Sequence, residues 1–529
     1  MAESKTKNDA SGEVTDPSVL VKARREKLRR WREEFDLQPF GHRVDDLESL
    51  ATARDRFDEA ADDLWRERSE AVGEGEAAPD DPRPRARVAG RCVQHRAMGN
   101  LVFVVLRDDS GDLQISISKQ AVDATSFKVA SKLDYGDIVV AEGPVGRTKR
   151  GEICIWADQF ELHCKSLMPP PEKYHGLTDV EARYRQRYVD LYMNPEVMDV
   201  FHRRSRILAT TRKFMESRGY IEVETPMMQS LAGGAAARPF MTHHNALDMP
   251  LFMRIAPELY LKRLLVGGMR RVFEINRNFR NEGIDRQHNP EFTMMELYEA
   301  FGDLDTMLEL VESLLRVLAQ ETNDGDGAVV TFGELEIDYG LPFERIRYGD
   351  LFTRGTGLEM ADRDGVLAAA KAAGVEDADK RDHWLLVNEL FEDKGESTID
   401  PCRPTFVTHY PSAISPLTRP DPEIPDLSLR SELFIAGMEV SNAYTELNDP
   451  DVQHSIFTQQ LSGADDEAST FRSMDEDFVN ALRVGMPPAG GMGVGIDRVV
   501  MLMTGSTSIR DVILFPLLKP EGGEGDDAS

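Results

Sequence analysis

Hydrophobic and polar positions change rhythm several times along the chain, and each rhythm predicts a different element. Over residues 86–165 the runs ARVAGRCV, LVFVVLRD, LQISIS, DIVVAEG and EICIWADQFEL alternate apolar with polar, separated by Gly and Asp turns. Alternation with period two puts one side of each strand in a core, so five strands of a small β-barrel are predicted. Residues 17–36 predict a helix, with Asp16-Pro17 in the N-cap and first-turn positions. Residues 195–218 place Met198, Phe201, Ile207, Leu208 and Phe214 on one helical face and stop at Gly219. The strand YIEVETPMM follows, interrupted by Pro226, which suits an edge or a junction because proline cannot donate to a ladder. Residues 302–320 predict an amphipathic helix, and 345–400 a polar helical insertion with no chemistry to assign. Two antiparallel strands are predicted within 272–298, VFEINRNFRNEGIDRQHNPEFTMMELY, joined by a charged loop through Gly283.

Length divides these elements among domains. A chain of 529 residues exceeds one typical core, so two or three domains are expected. Residues 1–85 read as a polar tail, a basic helix and a linker (GEGEAAPDDPRPR, 73–85), and 521–529 as an acidic disordered tail. PPPEKYHGL (169–177) marks the crossing from the barrel, residues 86–168, to a second domain over 169–520. No apolar run reaches membrane-spanning length. Glu3, Asp9, Glu13 and Asp16 make the start too acidic for a transit peptide, and it lacks the apolar stretch of a signal peptide, so the cytoplasm is expected. Cys92, Cys154, Cys164 and Cys402 are scattered and predict free thiols, neither a disulfide frame nor a zinc site.

Charge alters one point. The net charge of −30 argues against a protein that coats nucleic acid. KARREKLRRWR (22–32) is a local exception, either following a phosphate backbone or forming a solvated helix face.

The candidate chemistry gathers in the loop of 272–298. Arg277, Arg280, Glu282, Arg286 and His288 suit a polyphosphate, because arginine forks pair bidentately with phosphate oxygens. Phe279 and Phe292 bracket those charges and would supply the apolar wall an adenine ring needs. Gly491, Gly493 and Gly495 of GMGVGIDRVVMLMTG lack the G-x-G-x-x-G spacing and the βαβ context of a dinucleotide loop. His243 and His244 are adjacent without a third ligand and read as structural.

FRNEG followed by HNPEFTMMELY resembles motif 2 of the class II aminoacyl-tRNA synthetases, with the wording of the lysine-specific, bacterial-type enzymes of subclass IIb. The helix, strand and Pro226 of 195–228 resemble motif 1, whose family role is a homodimer interface, and residues 491–505 resemble motif 3. The likeness runs from about Arg91 to Pro520. It implies an α+β protein: an N-terminal OB-fold barrel that binds the anticodon, then a catalytic domain built on an antiparallel β-sheet flanked by helices. The implied reaction activates L-lysine with ATP to lysyl-adenylate, then transfers lysine to the 3′ end of tRNA(Lys).

The resemblance also implies roles for single residues. Arg280 would bridge the lysine carboxylate and the α-phosphate, and Arg498 would touch the γ-phosphate and cover one adenine face, with Phe292 on the other. Glu282 and Asn289 would meet the adenine end and His288 the terminal phosphates. Glu432 and Glu439, read as near opposite ends of one strand-like run SELFIAGME, match acids that hold Mg²⁺. Of the two, Glu432 reads more readily as a solvent-facing acid. Gly234 and Glu258 match the grip on the α-amino group, and Glu296, Tyr298, Asn442, Tyr444, Glu446 and Gly493 the rest of the lysine pocket. Glu446 is the expected partner of the lysine ammonium, the alternative being that it braces a turn in NAYTELND. Phe103 and Gln114 match positions that stack on and hydrogen-bond the central anticodon uridine, and Arg96 a further anticodon contact; for Phe103 the alternative is core packing. An aspartate or asparagine enzyme would instead need a cationic or amide-reading pocket. A stand-alone lysylating paralogue would lack the barrel, and a catalytically dead homologue would not need Arg280, Glu439 and Arg498 intact.

Overall fold

The computed structural model describes residues 17–71, 79–170, 177–234, 237–462 and 474–520. Both predicted terminal tails, residues 73–78 of the linker and 171–176 of the crossing lie outside these. The chain divides into two compact units, one ending at Met198 and the other beginning at Asp199.

In the first unit, strands β1 (Arg85–Met98), β2 (Leu101–Asp108), β3 (Gly111–Ser118), β4 (Ile138–Arg147), β5 (Ile153–Ala157) and β6 (Gln159–Cys164) form a barrel. A register shift between Cys92 and Gln94 lets the first half of β1 pair with β4 and the second half with β2, which closes the sheet. Val88, Val102, Val104, Ile115, Ile117 and Val139 fill the interior by the expected alternation. The run EICIWADQFEL is two strands, not one. Asp158 breaks it, so β5 pairs with β3 and β4 while β6 returns along β4.

The helix Pro17–Phe35 lies against this barrel, and two of its basic residues are committed there. Arg24 donates to the Ser166 and Met168 carbonyls, and Lys27 pairs with Asp134 at 2.6 Å. That part of the basic run anchors the helix, whatever its exposed remainder does. The unit also continues past the predicted crossing at 169–177. Arg107 donates to the Tyr192 carbonyl at 2.9 Å and the Arg91 guanidinium lies 4.6 Å from the Tyr192 ring centroid, pinning the short helix Arg187–Met193.

The second unit contains β7 (Ile221–Glu222), β8 (Met228–Gln229), β9 (Met241–His244), β10 (Met249–Met253), β11 (Arg271–Phe279), β12 (Glu291–Ala300), β13 (Val329–Phe332), β14 (Leu335–Asp338), β15 (Glu344–Arg347), β16 (Thr405–Thr408), β17 (Arg430–Ile435), β18 (Met438–Thr445) and β19 (Ala489–Gly495). Eight of them make the main sheet in the order β15-β16-β17-β18-β19-β12-β11-β7, antiparallel except at its two outermost pairs. Helices Leu304–Thr322, Pro195–Ser217 and Ile496–Thr504 pack on one face over Phe273, Met295, Leu297, Met492 and Val494. Asp303 and Thr306 form a capping box that starts the first of these helices.

Two predicted strands of the second unit also differ in the structure. YIEVETPMM is extended only at β7 and β8, on either side of Pro226, with β7 a two-residue parallel edge on β11. SELFIAGME is a hairpin: Ala436 and Gly437 both take positive φ, 52° and 73°, and turn β17 back onto β18. The insertion opens on β15 and then folds three helices, Tyr348–Thr356, Arg363–Ala372 and His383–Leu390, over their own core with Tyr348 stacked on Phe391.

Candidate active site

Strand register assembles the site. Residues directly opposite across paired strands share a face. Glu296 lies opposite Gly493, Gly493 opposite Asn442, and Asn442 opposite Glu432. One step along, Tyr298, Gly491, Tyr444 and Arg430 form a second row. Both rows lie on the face away from Met295, Leu297 and Met492, which are in the helix-covered core. The β11–β12 loop and the start of helices Glu258–Val266 and Ile496–Thr504 complete a cavity of about 1040 Å³.

At the loop end, the Arg280 backbone N–H is tied to the Pro290 carbonyl, and its guanidinium lies 5.3 Å from the Phe292 ring centroid. Arg280 Nε and Asn289 Oδ1 are buried without a hydrogen-bond partner. Such orphaned groups in a cavity wall are costly unless a ligand completes them. His288 donates from Nδ1 to Asp285 and accepts at Nε2 from Arg498 at 3.0 Å, so it bridges the loop to motif 3. Arg498 also donates to the Glu439 carbonyl. An arginine-rich end with one aromatic wall fits a nucleoside polyphosphate.

The hairpin turn brings Glu432 and Glu439 close enough for one side chain to span them. Asn442 Nδ2 lies 3.1 Å from Glu432 and 3.5 Å from Glu439. Their exposure reverses the sequence expectation. Glu432 is buried, receiving hydrogen bonds from Arg430 and from the Tyr410 hydroxyl, whereas the Glu439 side chain is 42% exposed towards the cavity. Burial in the cleft and the neighbouring Glu432 charge push the Glu439 carboxyl up from its ordinary value. Two carboxylates fit a hard divalent cation that takes its remaining oxygens from phosphate and water. No cluster of three ligating side chains occurs among the described residues, so those outside oxygens would be needed.

Glu258, Glu296, Tyr298 and Tyr444 line the other end, and Gly234 stands so near Glu258 that a Cβ there would lie 3.4 Å from the Glu258 Cβ. Burial, and then the Glu258 charge, push the Glu296 carboxyl up to about 8. The Tyr298 hydroxyl points at Glu296 from 3.4 Å. Glu282, Gly493 and Arg498 also border the cavity.

Glu446 is not among the residues that line the cavity. It sits behind the Tyr298 wall, where a Cβ on Gly491 would approach its Oε1 to 1.9 Å, and its Oε2 is 2.5 Å from Lys262 Nζ. Glu446 thus pairs with the chain's own ammonium. The cause is helical: Lys262 follows Glu258 by one turn and reaches both acids from the same face. Sequence reasoning passed over Lys262, though the Glu-to-Lys i,i+4 spacing was a signal. It also passed over Arg430, which shares a strand face with Glu432.

In the barrel, Val102, Val104 and Leu106 point inward, so Phe103 lies on the opposite, half-buried face. Arg96 is directly across from it with the guanidinium 5.1 Å from the ring centroid, and Gln114 pairs with Val105 on that same face. Phe103 is not a core residue. His243, exposed on β9, contacts Asp248.

Residues 179–519 match the family described as tRNA synthetases class II (D, K and N), and residues 86–169 the family described as the OB-fold nucleic acid binding domain. The chain belongs to the class II tRNA synthetases. It is 46% identical over 520 residues, 97% of each chain, to a lysine–tRNA ligase of Pelotomaculum thermopropionicum. Identity is also 46% to the lysine–tRNA ligase of Carboxydothermus hydrogenoformans, over 95% of this chain and 98% of that one. With the lysine–tRNA ligase of Shigella boydii it is 44%, over 96% and 97%.

Proposed function

We infer that this chain is an ATP-dependent lysine–tRNA ligase, forming lysyl-adenylate and passing lysine to the 3′ end of tRNA(Lys). The observation that carries the reading is the acidic end of the cavity. An ammonium leaving water needs a fixed counter-charge, and Glu258 and Glu296 supply carboxylates where an aspartate-selective pocket would need cations.

The lysine carboxylate attacks the α-phosphate of ATP, the α–β phosphoanhydride breaks and pyrophosphate leaves, so charge neutralisation and alignment are the protein's main tasks. Arg280 serves the carboxylate and the α-phosphate; Arg498 and His288 serve the outer phosphates. Phe292 and Asn289 hold the adenine, with Glu282 at its edge. Glu439, with Glu432 behind it, would hold Mg²⁺, which would supply charge neutralisation on the phosphates. Asn442, Tyr444, Tyr298, Gly493 and Gly234 shape the lysine site. Arg96, Phe103 and Gln114 form the anticodon contact. Ile221 and Met228, both more than half exposed, support self-association of two copies through the motif 1 region. Four free thiols suit a reducing compartment such as the cytoplasm.

The test is ATP–pyrophosphate exchange with each amino acid supplied singly. Lysine alone should support it; exchange driven by aspartate or asparagine would overturn the reading.

A further inference from the structure

Lys262 is the largest feature of the substrate pocket that this function leaves unused. Its side chain is 0% exposed, and its Nζ stands 2.7 Å from Glu258 Oε1 and 2.5 Å from Glu446 Oε2. Glu258 borders the cavity, while Glu446 lies behind it. We propose that Lys262 is a positioning residue for amino-acid recognition: its ammonium ties Glu258 to the buried Glu446, and so fixes the Glu258 carboxylate that faces an amino group of lysine. The proposal rests on the chain being a lysine–tRNA ligase.

The geometry excludes the simpler roles. A surface salt bridge would leave the ammonium in water, whereas here all three charges are withdrawn from it. Burying an ammonium is costly unless two acceptors of opposite charge compensate, and Glu258 and Glu446 together do so. They keep Lys262 charged well above the ordinary lysine range against the burial that opposes it. Burial pushes the Glu446 carboxyl upwards, and Lys262 is the cation that opposes this. Without Lys262, the Glu446 carboxyl would lose the cation that opposes its burial, and Glu258 would lose the partner that fixes it at the cavity wall.

Charge matching gives the same answer. Once lysine binding has displaced the Glu296 proton, Glu258, Glu296 and Glu446 carry three negative charges and Lys262 one positive, leaving two. Lysine brings two ammonium groups, and its carboxylate goes to Arg280. The groups facing the triad from other elements are Tyr298 and Glu296 on β12 and Tyr444 on β18. Each of the three has its own proton held more firmly by burial.

The test is ATP–pyrophosphate exchange from pH 6 to 9 on the full chain, reading the lysine KM, the ATP KM and kcat. In Lys262→Met the lysine KM should rise at least tenfold at pH 7 with the ATP KM within twofold. The loss should shrink towards pH 9, as the stranded Glu446 carboxyl ionises. A merely structural brace would not move the pH profile. An unchanged or lowered lysine KM would overturn the proposal, the latter making Lys262 a competitor for the acids. Should that variant not fold, Glu446→Gln is compared with the charge-balanced Lys262→Met/Glu446→Gln. The double variant should have a lysine KM at least threefold above the single one, because Glu258 has lost its brace too. Equal or recovered affinity would overturn the role. Failure of the underlying reading is separate: wild-type exchange with an amino acid other than lysine removes both.

Discussion

Glu296 shows how one residue converts burial into a binding property. Its carboxyl is raised to about 8, so the empty pocket holds a proton there at neutral pH. Lysine favours the ionised form, so binding must release that proton. Affinity for lysine should therefore increase with pH below about 8, by at most about tenfold per unit, and then level off. The ligand-free protein should show the opposite trend. Its native state binds a proton that the unfolded chain, with an ordinary carboxyl, has lost, so Glu296 costs stability as pH rises from about 4.5 to about 8. Calorimetric titration of lysine in two buffers of different ionisation enthalpy checks the proton release, and a pH-independent affinity would remove Glu296 from the pocket. Arg280 is governed by geometry rather than by titration. Arg280→Lys keeps the charge but loses the planar fork, so exchange should fall by roughly 10²–10³-fold while the melting temperature holds. A near-normal rate would take Arg280 off the reaction path.

At the scale of elements, the strand β19 decides whether a pocket exists. It runs between β12 and β18, and its glycines leave a trough where other residues would fill it. The two central glycines are not equivalent. A Cβ at Gly491 would lie 1.9 Å from Glu446 Oε1 and 2.5 Å from the Tyr298 ring, both fixed and buried. At Gly493 the nearest atom is the Met294 Cε, at 2.5 Å, which ends a flexible chain. Gly491→Ala should therefore lose about 1–3 kcal/mol by overpacking and raise the lysine KM, while Gly493→Ala should lose less stability. Melting curves and exchange kinetics on both variants decide; equal losses would mean that the trough is softer than its packing implies. The β17–β18 hairpin makes the same point from its turn, since Ala436 and Gly437 reverse the chain and bring Glu439 back beside Asn442 and Glu432.

For the whole molecule, recognition and activation belong to different compact units. Phe103 lies in the barrel and takes no part in the cavity. Phe103→Ala should weaken tRNA binding by roughly 1–3 kcal/mol and leave tRNA-independent exchange at the wild-type rate. Equal loss of both would indicate a folding defect instead of a lost base contact. The sequence by itself determined the first four barrel strands, the long helices and the loop from Arg277 to Phe292, because periodicity and local chemistry are properties of neighbouring residues. It misread YIEVETPMM and SELFIAGME, where a proline and a two-residue turn override otherwise continuous strand patterns. What it could not contain was pairing across distance. That Gly493 stands between Glu296 and Asn442 depends on strand order, which joins segments some 200 residues apart. Only the tertiary structure decided that Lys262, unremarkable in ELYLKR, lies against Glu446. Burial is the physical reason: a charge withdrawn from water takes whatever partner the fold brings nearest, and the fold brings one from the chain itself.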